Sequence, residues 1–151
     1  MFCLSTGQRI GDVLNMSWSD IKDDTIKVIQ QKTGKELWIL LHPELKQLFD
    51  IISQKAVKIL TAKSRIVWTY DNWEKNSLSE RKRLSESEYK THGLRKNAVL
   101  RLLYADCTTK QVGSITGQSD KMMDFYARQI EQEKLAEVGV KKYAEWGKSR
   151  T

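Results

Sequence analysis

The sequence predicts a mostly α-helical domain with one small antiparallel β-sheet, an α+β arrangement. Three observations carry that expectation. Apolar residues recur at helical spacing in several segments, most clearly in "THGLRKNAVLRLLYAD", where Leu94, Ala98, Val99, Leu102 and Leu103 form one stripe. A single stretch, "TIKVIQQKTGKELWILL", instead alternates and turns at Thr33-Gly34-Lys35, the pattern of a β-hairpin with strands near 25–31 and 36–41. The chain has 151 residues, 40% of them hydrophobic and five of them tryptophan, enough for one domain around one core.

Each element has a local reason. "RIGDVLNM" reads as a short helix after Gly7. The hairpin follows. Pro43 suits the first turn of a helix, which the spacing of Leu45, Leu48, Phe49, Ile52 and Val57 extends to about Ile59. "RIVWTY" reads as a short strand or an extended run, and the polar residues 71–90 as a short helix and a loop. The helix of 91–106 comes next. "TTKQVGSITG" predicts a short helix between a cap at Thr108 or Thr109 and a closing Gly117. "DKMMDFYARQ" is another helix. A last one carries Leu135, Val138, Tyr143 and Trp146 on one side.

Composition narrows the function. The net charge of +7 favours a polyanionic partner, nucleic acid first. Arg81, Lys82, Arg83, Lys90, Arg95, Lys96 and Arg101 crowd one region, while acidic residues gather around Asp20–Asp24 and Glu131–Glu137. No stretch approaches the roughly 20 apolar residues of a membrane span, and no signal peptide is visible. Cys3 and Cys107 lie far apart in apolar segments, which suggests a reduced, cytosolic protein. His42 and His92 form no metal-ligand spacing with them.

Several residues are out of place for a plain helical domain. Arg95 falls inside the apolar stripe of its helix, and His92 lies on nearly the same side one turn earlier. A charge there is costly unless a partner compensates it, either an acidic side chain or an anion from outside. Arg9 follows a glycine turn, with Asp12 close enough to orient it. Lys32 sits at a hairpin tip, and Tyr126 beside Phe125 in a mostly polar context. Taken singly, these could be a surface ion pair, a turn lysine and a core tyrosine.

Together they resemble the tyrosine recombinases, the phage-integrase family. "STGQRIGDVLNMSWSDI" resembles that family's first signature, "THGLRK" its His-x-x-Arg signature, and "SITGQSDKMMDFYAR" the block that ends in its nucleophilic tyrosine. The hairpin "QQKTGKELWILLHPEL" is similar to the segment carrying the family's lysine. The order and rough spacing hold over most of the chain.

The resemblance implies a tyrosine recombinase catalytic-domain fold and a DNA-cleaving, DNA-rejoining reaction through a 3′-phosphotyrosine. Arg9 and Arg95 would hold the scissile phosphate, because a guanidinium fork binds phosphate oxygens in pairs. Lys32 would protonate the leaving 5′-oxygen, His92 would assist proton transfer, and Tyr126 would attack. Gln118 stands where the family usually has His or Trp; an amide can donate a hydrogen bond but cannot serve as acid or base. No metal, nucleotide or redox cofactor is expected. The expected partner is double-stranded DNA, with four copies assembled through the C-terminal helix. That helix either docks on its own core or exchanges with a neighbour. The expected location is the cytoplasm of a prokaryotic cell, on DNA.

Only eight residues precede Arg9, whereas family members carry a separate N-terminal core-binding domain. Residues 1–151 are therefore expected to form a single catalytic domain without it. A truncated, inactive DNA-binding remnant of a prophage integrase is the alternative expectation.

Overall fold

Two short helices, α1 (Phe2–Thr6) and α2 (Ile10–Asn15), flank a turn at Gly7. The computed structural model describes residues 1–52, 56–62 and 66–148. Gly7 has φ +64°, and a Cβ there would stand 2.5 Å from Thr116 Cγ2. Neither backbone conformation nor space admits a side chain at that point.

The sheet has three antiparallel strands in the order β1 (Ile21–Lys22), β2 (Thr25–Ile29) and β3 (Glu36–Leu40). The hairpin of β2 and β3 is the one the sequence predicts, with Ile26 opposite Ile39 and Val28 opposite Leu37. Strand β1 was not anticipated. It is two residues long and turns into β2 through Asp23 and Asp24, both at positive φ, 48° and 63°. That is the left-handed pair a tight hairpin turn needs. Ile26, Val28 and Ile39 point into the core, while Ile29, Trp38 and Leu40 are exposed.

Helix α3 spans Pro43–Ile51, with His42 Nδ1 accepting from the Glu44 amide at 3.3 Å. It is shorter than the apolar spacing implied. Ile52 is extended and Val57 is exposed. The Val57 carbonyl accepts from the Trp18 amide at 3.1 Å, and the Ile59 amide donates to the Met16 carbonyl at 3.1 Å. Pairing with the Met16–Trp18 segment therefore takes the backbone groups that a longer helix would use. Residues 53–55 of the expected helix lie outside the described residues. "RIVWTY" reduces to a single bridge between Val67 and Thr61 before Tyr70 opens a helix, and Arg65 is not among the described residues.

That helix, α4 (Tyr70–Arg83), fills most of the segment expected to be a short helix and a loop. Thr69 caps it, its hydroxyl accepting from the Asn72 amide at 3.2 Å. No residue of α4 is fully buried; half-buried Trp73 packs on the core and edge-on against Trp68, and polar pairs such as Arg81–Glu74 at 2.8 Å add to it. Helix α5 (Thr91–Tyr104) buries Arg95, Ala98, Val99 and Leu103. Helix α6 (Thr109–Thr116) starts with a Thr108/Gln111 capping box and ends at Gly117, φ 67°. The two terminal helices expected from sequence are one continuous α7, Asp120–Lys148.

Two buried clusters hold these elements. One joins α1, α2, the sheet and α3 through Phe2, Val13, Leu14, Ile26, Leu45 and Phe49. The other joins α5, α6 and α7 through Val99, Leu103, Val112, Met123 and Ile130. Beyond Ile130 the apolar side chains of α7 are more exposed: Leu135, Val138, Tyr143 and Trp146 are 66%, 49%, 73% and 52% exposed. Leu135 and Val138 still line a cavity with Leu103, Cys107 and Ile130, and Lys134 pairs with Asp106 at 2.6 Å.

Candidate active site

The site lies where the two clusters meet. Arg9 caps α2 with an extended backbone, φ −69° and ψ 149°. Asp12, one turn on and buried, lies 3.8 Å from Arg9 Nη1. Its other oxygen, Oδ1, accepts from the Gln31 amide at 2.9 Å. One buried carboxylate thus faces Arg9 and also ties α2 to the hairpin tip that carries Lys32.

Arg95 is only 4% exposed. Its Nη2 donates to the Thr116 carbonyl at 2.8 Å. No carboxylate closes an ion pair with it among the described residues. Burial, and then the nearby charge of Arg9, push its pKa down to about 10, with Asp12 acting weakly the other way. The guanidinium is still charged at neutral pH. Arg95 Nη1 and Arg9 Nη1 are both buried without a hydrogen-bond partner among the described residues. Arg9 Nη1 faces Asp12 Oδ2, itself without a hydrogen bond, at ion-pair distance, whereas Arg95 Nη1 has no such anion among the described residues, and a buried cationic donor left so is costly.

The remaining side chains close around the same space. His92 lies one turn before Arg95 on α5. Gln118 follows the glycine that ends α6, its backbone N–H donating to Thr116 Oγ1 at 3.4 Å. Tyr126 sits in the second turn of α7, half-buried against the α5–α7 cluster, with Lys96 Nζ 6.0 Å from its ring centroid. All six residues expected from sequence, Arg9, Lys32, His92, Arg95, Gln118 and Tyr126, line one cavity of about 460 Å³. Lys35 and Lys96 also line it, and no acidic side chain does among the described residues. A neighbouring cavity of about 260 Å³ shares Arg9, Lys32, His92 and Arg95 and adds the acidic Asp12 together with Tyr70 and Thr91.

Sequence reasoning did not single out Lys35 or Tyr70 for the site. Lys35 carries the same turn-lysine signal as Lys32 and had no feature to separate it. Tyr70 was read within an extended run, whereas it starts α4 and is 55% exposed. No group of metal-ligating side chains occurs among the described residues.

The fold is a helical domain with a three-stranded sheet, in which a tyrosine, the buried Arg95 and the half-buried Arg9 line one cationic cavity. The model of the phage integrase family matches residues 1–133, and the chain belongs to that family. The integrase of Enterobacteria phage P21 is 48% identical over 42 residues, 28% of this chain and 11% of that protein. The solved lambda integrase catalytic core is 26% identical with TM-score 0.64, over 77% of this chain and 78% of that one. A lambda integrase (75–356) dimer bound to a COC′ core site is 27% identical with TM-score 0.67, over 83% of this chain and 49% of that one. The chain thus spans about half of that longer structure, and its match to the phage P21 protein covers a small part of that protein's length. No helix among the described residues is long and apolar enough to cross a membrane.

Proposed function

We propose that this chain is the catalytic domain of a site-specific DNA recombinase that cuts and rejoins DNA through a 3′-phosphotyrosine. The observation that carries the reading is Arg95, buried with Nη1 unbonded and no carboxylate partner among the described residues, at one cavity with Arg9 and Tyr126. Asp12 faces Arg9 alone as an ion-pair partner; a DNA phosphate would bring Arg95 the negative charge it lacks, with several acceptor oxygens for both guanidinium groups.

The chemistry follows from the residues. Arg9 and Arg95 bind the nonbridging oxygens and neutralise the charge that develops on them. The Tyr126 oxygen forms a bond to phosphorus while the bond to the 5′-oxygen breaks. Lys32, on the hairpin tip, gives the departing oxygen its proton. His92 takes up the tyrosine proton and helps hold the phosphate, and Gln118 donates a hydrogen bond to it. Attack by a 5′-hydroxyl on the phosphotyrosine reverses the step and rejoins DNA. One phosphodiester is exchanged for another, so the bond energy is conserved.

Double-stranded DNA is the proposed partner, bound with strong salt dependence because phosphate contacts release counterions. The neighbours include a lambda integrase tetramer bound to a Holliday junction. The exposed stripe of Leu135, Val138 and Tyr143 supports assembly of several copies through the end of α7. The test of the reaction is a nicked duplex incubated with the protein and resolved under denaturing conditions. Wild type should leave a protein–DNA adduct, and Tyr126→Phe should bind DNA but leave none. An adduct that survives in Tyr126→Phe would refute the reading.

A further inference from the structure

Beneath the cationic cavity lies a chain of buried amides. Gln8, Gln30 and Thr116 are each 0% exposed. Gln30 Nε2 donates to Gln8 Oε1 at 2.6 Å and to the Thr116 carbonyl at 2.9 Å. Gln30 Oε1 accepts from the Thr33 hydroxyl at 2.8 Å. Gln8 Nε2 donates to the carbonyls of Thr6 and Ile115, both at 2.9 Å. Both amides are thus used at both ends, and turning the Gln30 amide over would set oxygen against the Thr116 carbonyl. The packing is closed as well as polar: a Cβ on Gly117 would meet Gln30 Nε2 at 2.6 Å.

The Thr116 carbonyl has a second donor, Arg95 Nη2 at 2.8 Å. One acceptor therefore anchors both Gln30, which begins the hairpin turn, and Arg95 on α5. Lys32 lies two residues beyond Gln30 on an exposed tip and has no anchor of its own among the described residues. Lys35, on the far side of the turn, donates to the Gly117 carbonyl at 3.1 Å. The turn is held at both shoulders to the loop that follows α6, and Lys32 stands between the two ties.

We propose that Gln30 is a positioning residue that sets Lys32 relative to Arg95 through their shared contact with the Thr116 carbonyl. Two short hydrogen bonds to one oxygen fix a proton donor against a phosphate ligand that lies 63 positions away in sequence. An apolar residue at position 30 would fill the volume but remove the turn's tie to the Thr116 carbonyl, leaving the Lys35 and Asp12 ties to hold the tip. Displacing a reacting group by about 1 Å can cost on the order of 100-fold in rate. The proposal rests on the reading of Lys32 as the acid of the cleavage step.

The test compares two nicked duplexes that differ in one atom. One carries the ordinary 5′-bridging oxygen at the scissile phosphate, and the other carries sulfur there. A thiolate leaves without a proton, so the sulfur DNA does not need Lys32, and its adduct accumulates even at low rates. Gln30→Met should slow adduct formation on the oxygen DNA by about 100-fold and stay close to wild type on the sulfur DNA, as Lys32→Ala should. Thr33→Val, an exposed change that removes one ligand of the Gln30 amide, should show the same pattern to a smaller degree and guards against misfolding of the buried variant. Equal slowing on both DNAs, or no slowing, would overturn the proposal while a rescued Lys32→Ala leaves the mechanism standing. An unrescued Lys32→Ala, or no adduct from wild type on either DNA, would overturn the mechanism and the proposal with it.

Discussion

Replacing Arg95 by methionine separates function from stability. Burial pushes the guanidinium pKa down to about 10, well below its ordinary value, which costs roughly 3 kcal/mol for remaining charged at neutral pH, at 1.36 kcal/mol per pH unit. Solvent reaching the cavity side screens that cost, leaving about half. The sign is that of a cation with a depressed pKa: the cost is fully present below pH 10 and fades as the pH rises from there toward the ordinary guanidinium value. Against this relief stands the lost bond to the Thr116 carbonyl, worth about 1.5 kcal/mol for a charged donor. The Thr116 carbonyl keeps its Gln30 donor, and methionine fills similar volume with a flexible chain. The two terms nearly cancel, so Arg95→Met should unfold in urea at pH 7 within about 1 kcal/mol of wild type. Cleavage of nicked DNA should fall by roughly 100- to 1,000-fold, the usual loss for one charge-stabilising donor. A loss of stability of about 3 kcal/mol or more, in the range of breaking a satisfied buried pair, would mean that Arg95 is a structural residue. Retained cleavage would refute its contact with the phosphate.

Other outcomes follow from the same geometry. Pyrophosphate should raise the melting temperature of wild type by completing Arg9 and Arg95, worth about 2.7 kcal/mol at 100 times its dissociation constant; in Arg9→Ala the effect should largely disappear. Cys107, half-buried, should react with a thiol reagent in the folded protein, whereas Cys3 should react only on unfolding. Burial pushes the Cys3 thiol up to about 11 from 9.0, so its contribution to stability is intact below pH 9 and is lost as the pH rises through 9 toward 11; Cys3→Ala should flatten that alkaline slope. Removing residues 131–151 should reduce the mass of the complex on DNA to that of fewer copies, because the stripe at the end of α7 is exposed; an unchanged mass would exclude that stripe as the interface.

Local signals made much of the molecule legible. The β2–β3 hairpin, the capping box of α6 and the glycine that ends it each depend on residues within a few positions of one another. Arg95 could be placed by helical spacing, because a charge inside an apolar stripe marks a departure from ordinary packing. The errors came where distant contacts decided the outcome. Val57 kept the helical rhythm of α3, but its backbone pairs with Trp18. Helix α4 has no apolar stripe to announce it, and its ion pairs appear only once the helix exists. Strand β1 is too short to show alternation, although Asp23-Asp24 carried its turn signal. The Gln8–Gln30 pair gave no sign at all, since an uncharged amide in sequence looks the same on the surface as in a core, and its partners are 22 and 86 positions apart.

The most direct measurement is the covalent attachment itself. Adduct trapped on nicked DNA with a bridging sulfur can be digested with protease and nuclease, and the modified peptide sequenced by mass spectrometry. The nucleotide should be found on Tyr126, joined through a 3′-phosphate, in the peptide between Lys121 and Arg128. Attachment to Tyr104 or Tyr143, or through a 5′-phosphate, would contradict the assignment of the cavity formed by Arg9, Lys32, His92, Arg95 and Gln118 as the site of strand cleavage.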